Sequence, residues 1–370
     1  MTALRTLTLA FLLLLPLPGQ SPRTDAPPPA AVLLPTLATA AVPHDADDPA
    51  IWISRSDPAK SLILGTDKQE RTGGLYVFGL DGRIRQTIAP LDRPNNVDVE
   101  YGLRLGGTSV DVAVLTERDC HCLRVFGIPA DGGALTDLAP DGIPVLEGQT
   151  GEAAAPMGIA LYRRQADGAV FAIVAPKTGG ASDYLWQYRL EDAGAGRVRG
   201  RFVRRFGAFS RKGSTPRDTG EIEAVAVDDD LGYVYYSDER FGIRKYLADP
   251  DRPGAARELA SFGTDGYQGD LEGLAIYATG PGTGFIVSSD QVSRGSRVML
   301  YPREGSGGNP NEHPRIATVL TTADATDGLD VTAAALPGFP RGLLVMMNSR
   351  AKDFLIYRWE DVVAAAPGAR

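Results

Sequence analysis

The sequence predicts an all-β protein, a six-bladed β-propeller with four antiparallel strands in each blade. Three observations predict it. Short alternating runs are bounded by Gly and Asp clusters, and 43 Gly with 27 Pro supply the many turns needed. A triplet of such runs recurs six times along the chain. Each triplet closes on an aromatic residue, at a spacing that suits one propeller blade.

The clearest triplet is 221–246, EIEAVAVDDDLGYVYYSDERFGIRKY. Residues 221–227 alternate polar and apolar side chains. Asp228-Asp229-Asp230-Leu231-Gly232 turns the chain and reads as a solvated cluster, as do Asp249 and Asp251. Residues 233–236 form a β-branched and aromatic run that stops at Ser237-Asp238-Glu239, and 243–246 begin the third strand. Third strands of the same kind end at Phe78, Phe126, Tyr188, Tyr246, Tyr301 and Tyr357, with gaps of 48, 62, 58, 55 and 56 residues. The strands before them, 62–65, 110–115, 170–175, 233–236, 285–287 and 343–347, each run into a polar cluster. The first strands are 50–53, 97–101, 158–162, 222–227, 274–277 and 329–333, and most have polar entrances. Fourth strands are weaker, with candidates at 83–88, 198–206, 256–262 and 315–320. A β-sandwich pair or a β-helix is the competing arrangement, but gaps near 55 exceed a short helical rung.

Around this core the expected organisation is a secretory signal at 1–20, a Pro-rich linker at 21–39 and one propeller domain over 40–365. Arg5 precedes an apolar run at 7–15, and Pro16-Leu17-Pro18-Gly19 breaks it. That run is too short for a comfortable membrane span, so the mature chain is expected to cross no membrane and to be secreted or periplasmic. Pro27-Pro28-Pro29 marks a stiff extended segment. The formal net charge of -8 argues against nucleic acid as the main partner. Nothing indicates an oligomer, so a monomer is expected. Cys120 and Cys122 are the only cysteines. Cys120-His121-Cys122 reads as a turn leading into a strand, or a minor metal or redox site. A same-face C-x-C pair is poor geometry for a disulfide.

In a propeller the entrance of each inner strand and the exit of its neighbour reach one channel mouth. The acids this projects there are Asp47, Asp48, Glu221, Glu223, Asp238, Glu239, Asp270, Glu272, Asp324 and Asp327; the basic residues are Lys68, Arg118 and Lys177. The chain has only three His. Carboxylate oxygens without His or Cys select Ca²⁺ or Mg²⁺ over zinc, and a flexible site made of loop ends favours Ca²⁺. Without cations so many carboxylates would repel, and some would have to hold protons.

The segments DADDPAIWI (45–53), RPNNVDVEYG (93–102), EIEAVAVDDDLGYVYYSDE (221–239), DLEGLAIY (270–277) and DGLDV (327–331) together resemble the blade motifs of the β-propeller phytases. These are calcium-dependent phosphatases of phytate, myo-inositol hexakisphosphate, and the resemblance runs from about residue 40 to 362. It implies several Ca²⁺ ions at the mouth. Glu223, Glu239, Asp270, Glu272 and Asp327 match carboxylates of the catalytic calcium cluster. Asp48 matches a ligand of a structural calcium that ties the first blade. Lys68, Arg118 and Lys177 match residues that hold substrate phosphates. The implied activity is phosphoric monoester hydrolysis of the 3-phytase type, with phytate or calcium phytate as substrate. Metal-activated water would attack in line, and Glu239 would orient it or take its proton. The chain departs from the pattern at Met157-Gly158, where the family has Tyr-Gly, and at Gln69, where it has a second Lys. The alternatives are another calcium-dependent propeller hydrolase, a lactonase or phosphodiesterase, and a non-catalytic propeller that binds phosphate ligands.

Overall fold

Six sheets, antiparallel apart from one added edge strand, ring a central channel in the computed structural model of the protein, which describes residues 32–210 and 220–366. Blade one is Ala46–Trp52, Leu62–Asp67, Gly73–Gly79 and Ile84–Leu91, from the axis outward. Blade two is Pro94–Leu105, Thr108–Glu117 and Cys122–Ile128, edged by the two-residue strands Thr136–Asp137 and Ile143–Pro144. Blade three is Pro156–Arg163, Val170–Pro176, Leu185–Gly194 and Arg197–Phe206. Blade four is Val225–Asp228, Tyr233–Asp238, Gly242–Leu247 and Ala260–Phe262. Blade five is Leu274–Gly280, Thr283–Asp290, Arg297–Pro302 and Ala317–Thr321, and blade six is Leu329–Thr332, Leu343–Asn348 and Asp353–Arg358. The one α-helix among the described residues, Trp359–Ala365, follows the last blade.

The ring closes through the segment read as linker. Leu37–Ala38 pairs antiparallel with Asp353–Arg358 and supplies the fourth strand of blade six. Val32–Leu33 pairs in parallel with Ala317–Thr321 and adds a fifth strand to blade five. The expected linker boundary at 39 is therefore too late, since residues 32–38 belong to the fold. The expected signal and the first part of the linker lie outside the described residues.

Burial explains the recurring aromatic. Phe78, Phe126, Tyr188, Tyr246, Tyr301 and Tyr357 sit on third strands and are all buried. Apolar side chains gather into six clusters, and each is shared by two neighbouring blades, including blades six and one. No blade buries its two faces alone, so the sheets are stable only as a ring. Each fully buried Leu or Phe in these clusters contributes roughly 1.5–3 kcal/mol.

Two local readings are corrected. Asp228 and Asp229 are not solvated turn residues. Asp228 is buried and accepts both ends of the buried Arg303 guanidinium at 2.6 Å, which ties blade four to blade five. Cys120 and Cys122 form a disulfide, their Cα atoms 5.2 Å apart. The strand begins only at Cys122, and His121 takes a left-handed φ of 55°. That turn, rather than a continuous strand, brings the sulfurs together.

Candidate active site at the channel mouth

The exits of the second strands obey one rule. Blades one, two, four and five end in Thr66-Asp67-Lys68, Thr116-Glu117-Arg118, Ser237-Asp238-Glu239 and Ser289-Asp290-Gln291. The Thr or Ser hydroxyl of the cluster bonds to inner-strand backbone, as Ser237 does with Ala224 and Ser289 with Gly273. The acid holds the loop ahead of its own blade's inner strand, a third-strand arginine, or both. Asp67 accepts the Asp45 N–H, Glu117 accepts the Asp92 N–H and Arg124, Asp238 accepts Ser210 and Arg244, and Asp290 accepts Arg297. Side chains alternate along an extended chain, so the next residue faces the mouth. Those residues are Lys68, Arg118, Glu239 and Gln291, joined by Lys177 from blade three.

Inner-strand entrances supply the counterparts. Lys68 Nζ bridges Asp47 at 2.6 Å and Asp327 at 2.7 Å, linking blades one and six. Gln291 donates to the other oxygen of Asp327. Lys177 donates to Glu221. Asn95 on blade two is fully buried and donates to Glu223 on blade four at 2.7 Å, while its oxygen accepts Arg118 at 3.3 Å. The Glu221 N–H donates to Glu239 at 3.0 Å. Asp270 pairs with Arg240 at 3.0 Å. Gly158 makes room for this arrangement, because a Cβ there would lie 2.1 Å from the Glu223 carbonyl oxygen.

All but one of the expected metal ligands and all three basic residues thus meet at one rim. Asp48 lies deeper. It lines the channel with Asp98 and Asp330, and its Oδ2 accepts the Val97 N–H at 3.0 Å. Asp238 and Asp324, also expected at the mouth, are elsewhere. Asp238 serves the blade-four loop, and Asp324 sits between blades five and six with Arg294 and Asn348. Asn95, Gln291 and Gly158 were not singled out from the sequence as site residues. The Thr/Ser–acid–X register marks Gln291, and a polar entrance residue marks Asn95. Met157 is buried, and its carbonyl accepts the Thr116 hydroxyl at 2.6 Å.

Seven carboxylates at this rim face four cationic side chains. Glu223, Glu239, Glu272 and Asp47 are each under 10% exposed. Burial and the charges of Glu221, Glu223 and Asp270 push Glu239 up to about 9. Burial raises Glu272 well above the carboxylate range, with Glu223, Glu239 and Asp327 adding to it. Burial likewise raises Asp327 to about 7 against the opposing pull of Lys68. Burial opposes the Lys68 charge, yet Asp47, Asp327 and Glu223 hold its ammonium well above the usual lysine range. Among the described residues, Asp47 Oδ2, Glu221 Oε2 and Glu272 Oε2 are buried without a hydrogen-bond donor. Glu221, Glu223 and Glu239 each offer an oxygen within 4.8 Å of the others. Calcium–oxygen distances of about 2.3–2.6 Å allow three such oxygens around one ion. The donor set is all oxygen, so the residues fit a hard divalent cation.

Comparison with known proteins agrees with this geometry. A family model described as Phytase matches residues 14–364. A 3-phytase of Bacillus subtilis (strain 168) is 29% identical over 329 residues, covering 86% of this chain and 80% of that protein. Two solved structures match at lower identity. Regucalcin of Agrobacterium tumefaciens, described as a calcium-binding protein, is 15% identical, covers 91% of this chain and 92% of its own, and has a TM-score of 0.49. Hydrazine synthase of Kuenenia stuttgartiensis is 12% identical over 84% of this chain and 82% of its own, with a TM-score of 0.45. Because the family model spans nearly the whole propeller and all six of its blades, this chain belongs to the phytase family.

Proposed function

We propose that the protein is a secreted, monomeric, calcium-dependent phosphatase that removes phosphate from phytate at the channel mouth. The observation that carries this reading is the ring of buried carboxylates with donorless oxygens, interleaved with Lys68, Arg118 and Lys177. Glu223, Glu239, Asp270, Glu272 and Asp327, with Glu221, would hold the calcium ions, and Asp48 would hold a separate structural one. Bound calcium would neutralise phosphoryl oxygens and lower the pKa of a coordinated water.

The protein's own side chains do the rest. Lys68 and Lys177 now lie against carboxylates. With those carboxylates holding cations, both ammonium groups would be free to bind the phosphates of the substrate. Arg118, steadied by Asn95, grips a neighbouring phosphate. Glu239 orients the attacking water and accepts its proton. An acidic protein can thereby take a polyanion without a large basic surface at the site. The signal-like N-terminus supports export. The test is phosphate release from phytate with calcium and again after chelation. Activity that disappears with the chelator and returns with calcium supports the reading, and equal rates overturn it.

A further inference from the structure

The outer rim of blades three and four carries a basic groove of about 620 Å³, lined by Arg204, Arg205, Arg252 and Arg257 with Pro250 and Ala255. In a chain of net charge -8, four guanidinium groups here have no carboxylate partner among the described residues. The nearby acids are turned elsewhere: Asp249 and Asp251 to Arg164, and Glu258 to Arg244. Arg204 donates through Nε to Gln187 at 2.6 Å and through Nη2 to the Leu247 carbonyl at 2.8 Å. Its Nη1 is buried with no acceptor. Burial lowers the Arg204 guanidinium to about 10, against the opposing charges of Asp249 and Asp251. Arg205 lies over the Trp186 ring, 4.4 Å from its centroid.

Edge strands often carry charge merely to deter pairing. Arg199 and Arg201, on the same outer strand, fit that role, since both pair with Glu191. The groove does not fit it. A partly buried guanidinium with an unused donor is costly unless an acceptor arrives. The donor forks match phosphate oxygens, and an open groove of this volume is the size of a small-molecule site.

We propose that this groove is a second anion site, independent of divalent cations, which takes a compact, multiply phosphorylated anion. It shares no residue with the channel lining, and it stands whether or not the mouth hydrolyses phytate. Tripolyphosphate and an inositol trisphosphate share the required chemistry and differ in source.

The test titrates the full protein with each probe in chelator, read by calorimetry and by tryptophan fluorescence. Trp186 is the reporter, because Trp52 and Trp359 are buried in other interblade clusters. The expected result is saturable binding of one or both probes. The double variant R252Q/R257Q, which changes two exposed residues, should weaken it at least about tenfold. K68Q at the mouth should leave it unchanged, and R252Q/R257Q should keep full calcium-dependent phosphatase activity. Absence of saturable binding overturns the proposal. So does equal binding by R252Q/R257Q, or binding of a heparin fragment without binding of either phosphate probe.

Discussion

The mouth and the shaft below it are both lined with carboxylates, yet they satisfy them differently. In the shaft, Asp98 accepts the N–H of Val99 and, across a blade boundary, that of Leu161, each at 2.7 Å. Asp330 does the same with Val331 and with Ile51 of blade one, again at 2.7 Å. Their oxygens are spent on backbone, and they stitch neighbouring inner strands together. At the mouth most partners are side chains that can move, the Glu221 N–H on Glu239 excepted, and several oxygens have no donor at all. An acid bonded to fixed amides serves the fold. An acid left to flexible cations is available to a ligand.

The largest expected effect breaks the two regions apart. E223Q should lower calcium-dependent turnover on phytate by about 10²-fold or more while the Tm stays close to that of the parent. D98A should do the reverse, costing about 1–3 kcal/mol of stability through an unsatisfied Leu161 N–H while turnover persists. Kinetics and thermal melts on both variants check this, and equal behaviour would erase the distinction.

Gly158 comes next. G158A would drive a methyl group against the Glu223 carbonyl, so it should cut turnover more than about tenfold by misplacing that carboxylate. A variant with normal turnover would show that Glu223 need not sit there. A smaller effect is expected from K68Q, which should raise KM for phytate about tenfold with a lesser change in kcat. A pure kcat loss would move Lys68 from binding to chemistry.

The smallest effect concerns pH. Glu239 at about 9 and Asp327 at about 7 hold protons more tightly folded than unfolded, as do Asp98 at about 8 and Asp330 at about 7. Their contribution is full below the unfolded carboxylate range and is lost as pH rises through the folded values. In chelator, Tm should therefore decline by a few degrees between about pH 5 and pH 9. Calcium should remove the mouth's share and leave that of the shaft. An identical decline with and without calcium would count against cations at the mouth.

Much of this was legible in the sequence, for a physical reason. Each blade repeats one burial problem, so the aromatic at Phe78, Phe126, Tyr188, Tyr246, Tyr301 and Tyr357 recurs. The closing strands left no such mark. Val32–Leu33 and Leu37–Ala38 are two residues long, and their partners lie about 300 residues away. The acids of the site were visible, but composition alone could not tell Asp238 from Glu239. Adjacent residues on a strand face opposite ways, and only the register assigns one to the loop and the other to the mouth. Asn95 and Gln291 escaped because they carry no charge, although each positions a residue that does.

On the proposed reading, the donorless carboxylates of the mouth are the ones that bind calcium. Calorimetric titration of calcium into stripped protein separates the two regions, comparing the parent with E221Q/E272Q and with D98A. E221Q/E272Q should lose calcium binding that D98A retains. Undiminished binding by E221Q/E272Q would show that calcium does not need them.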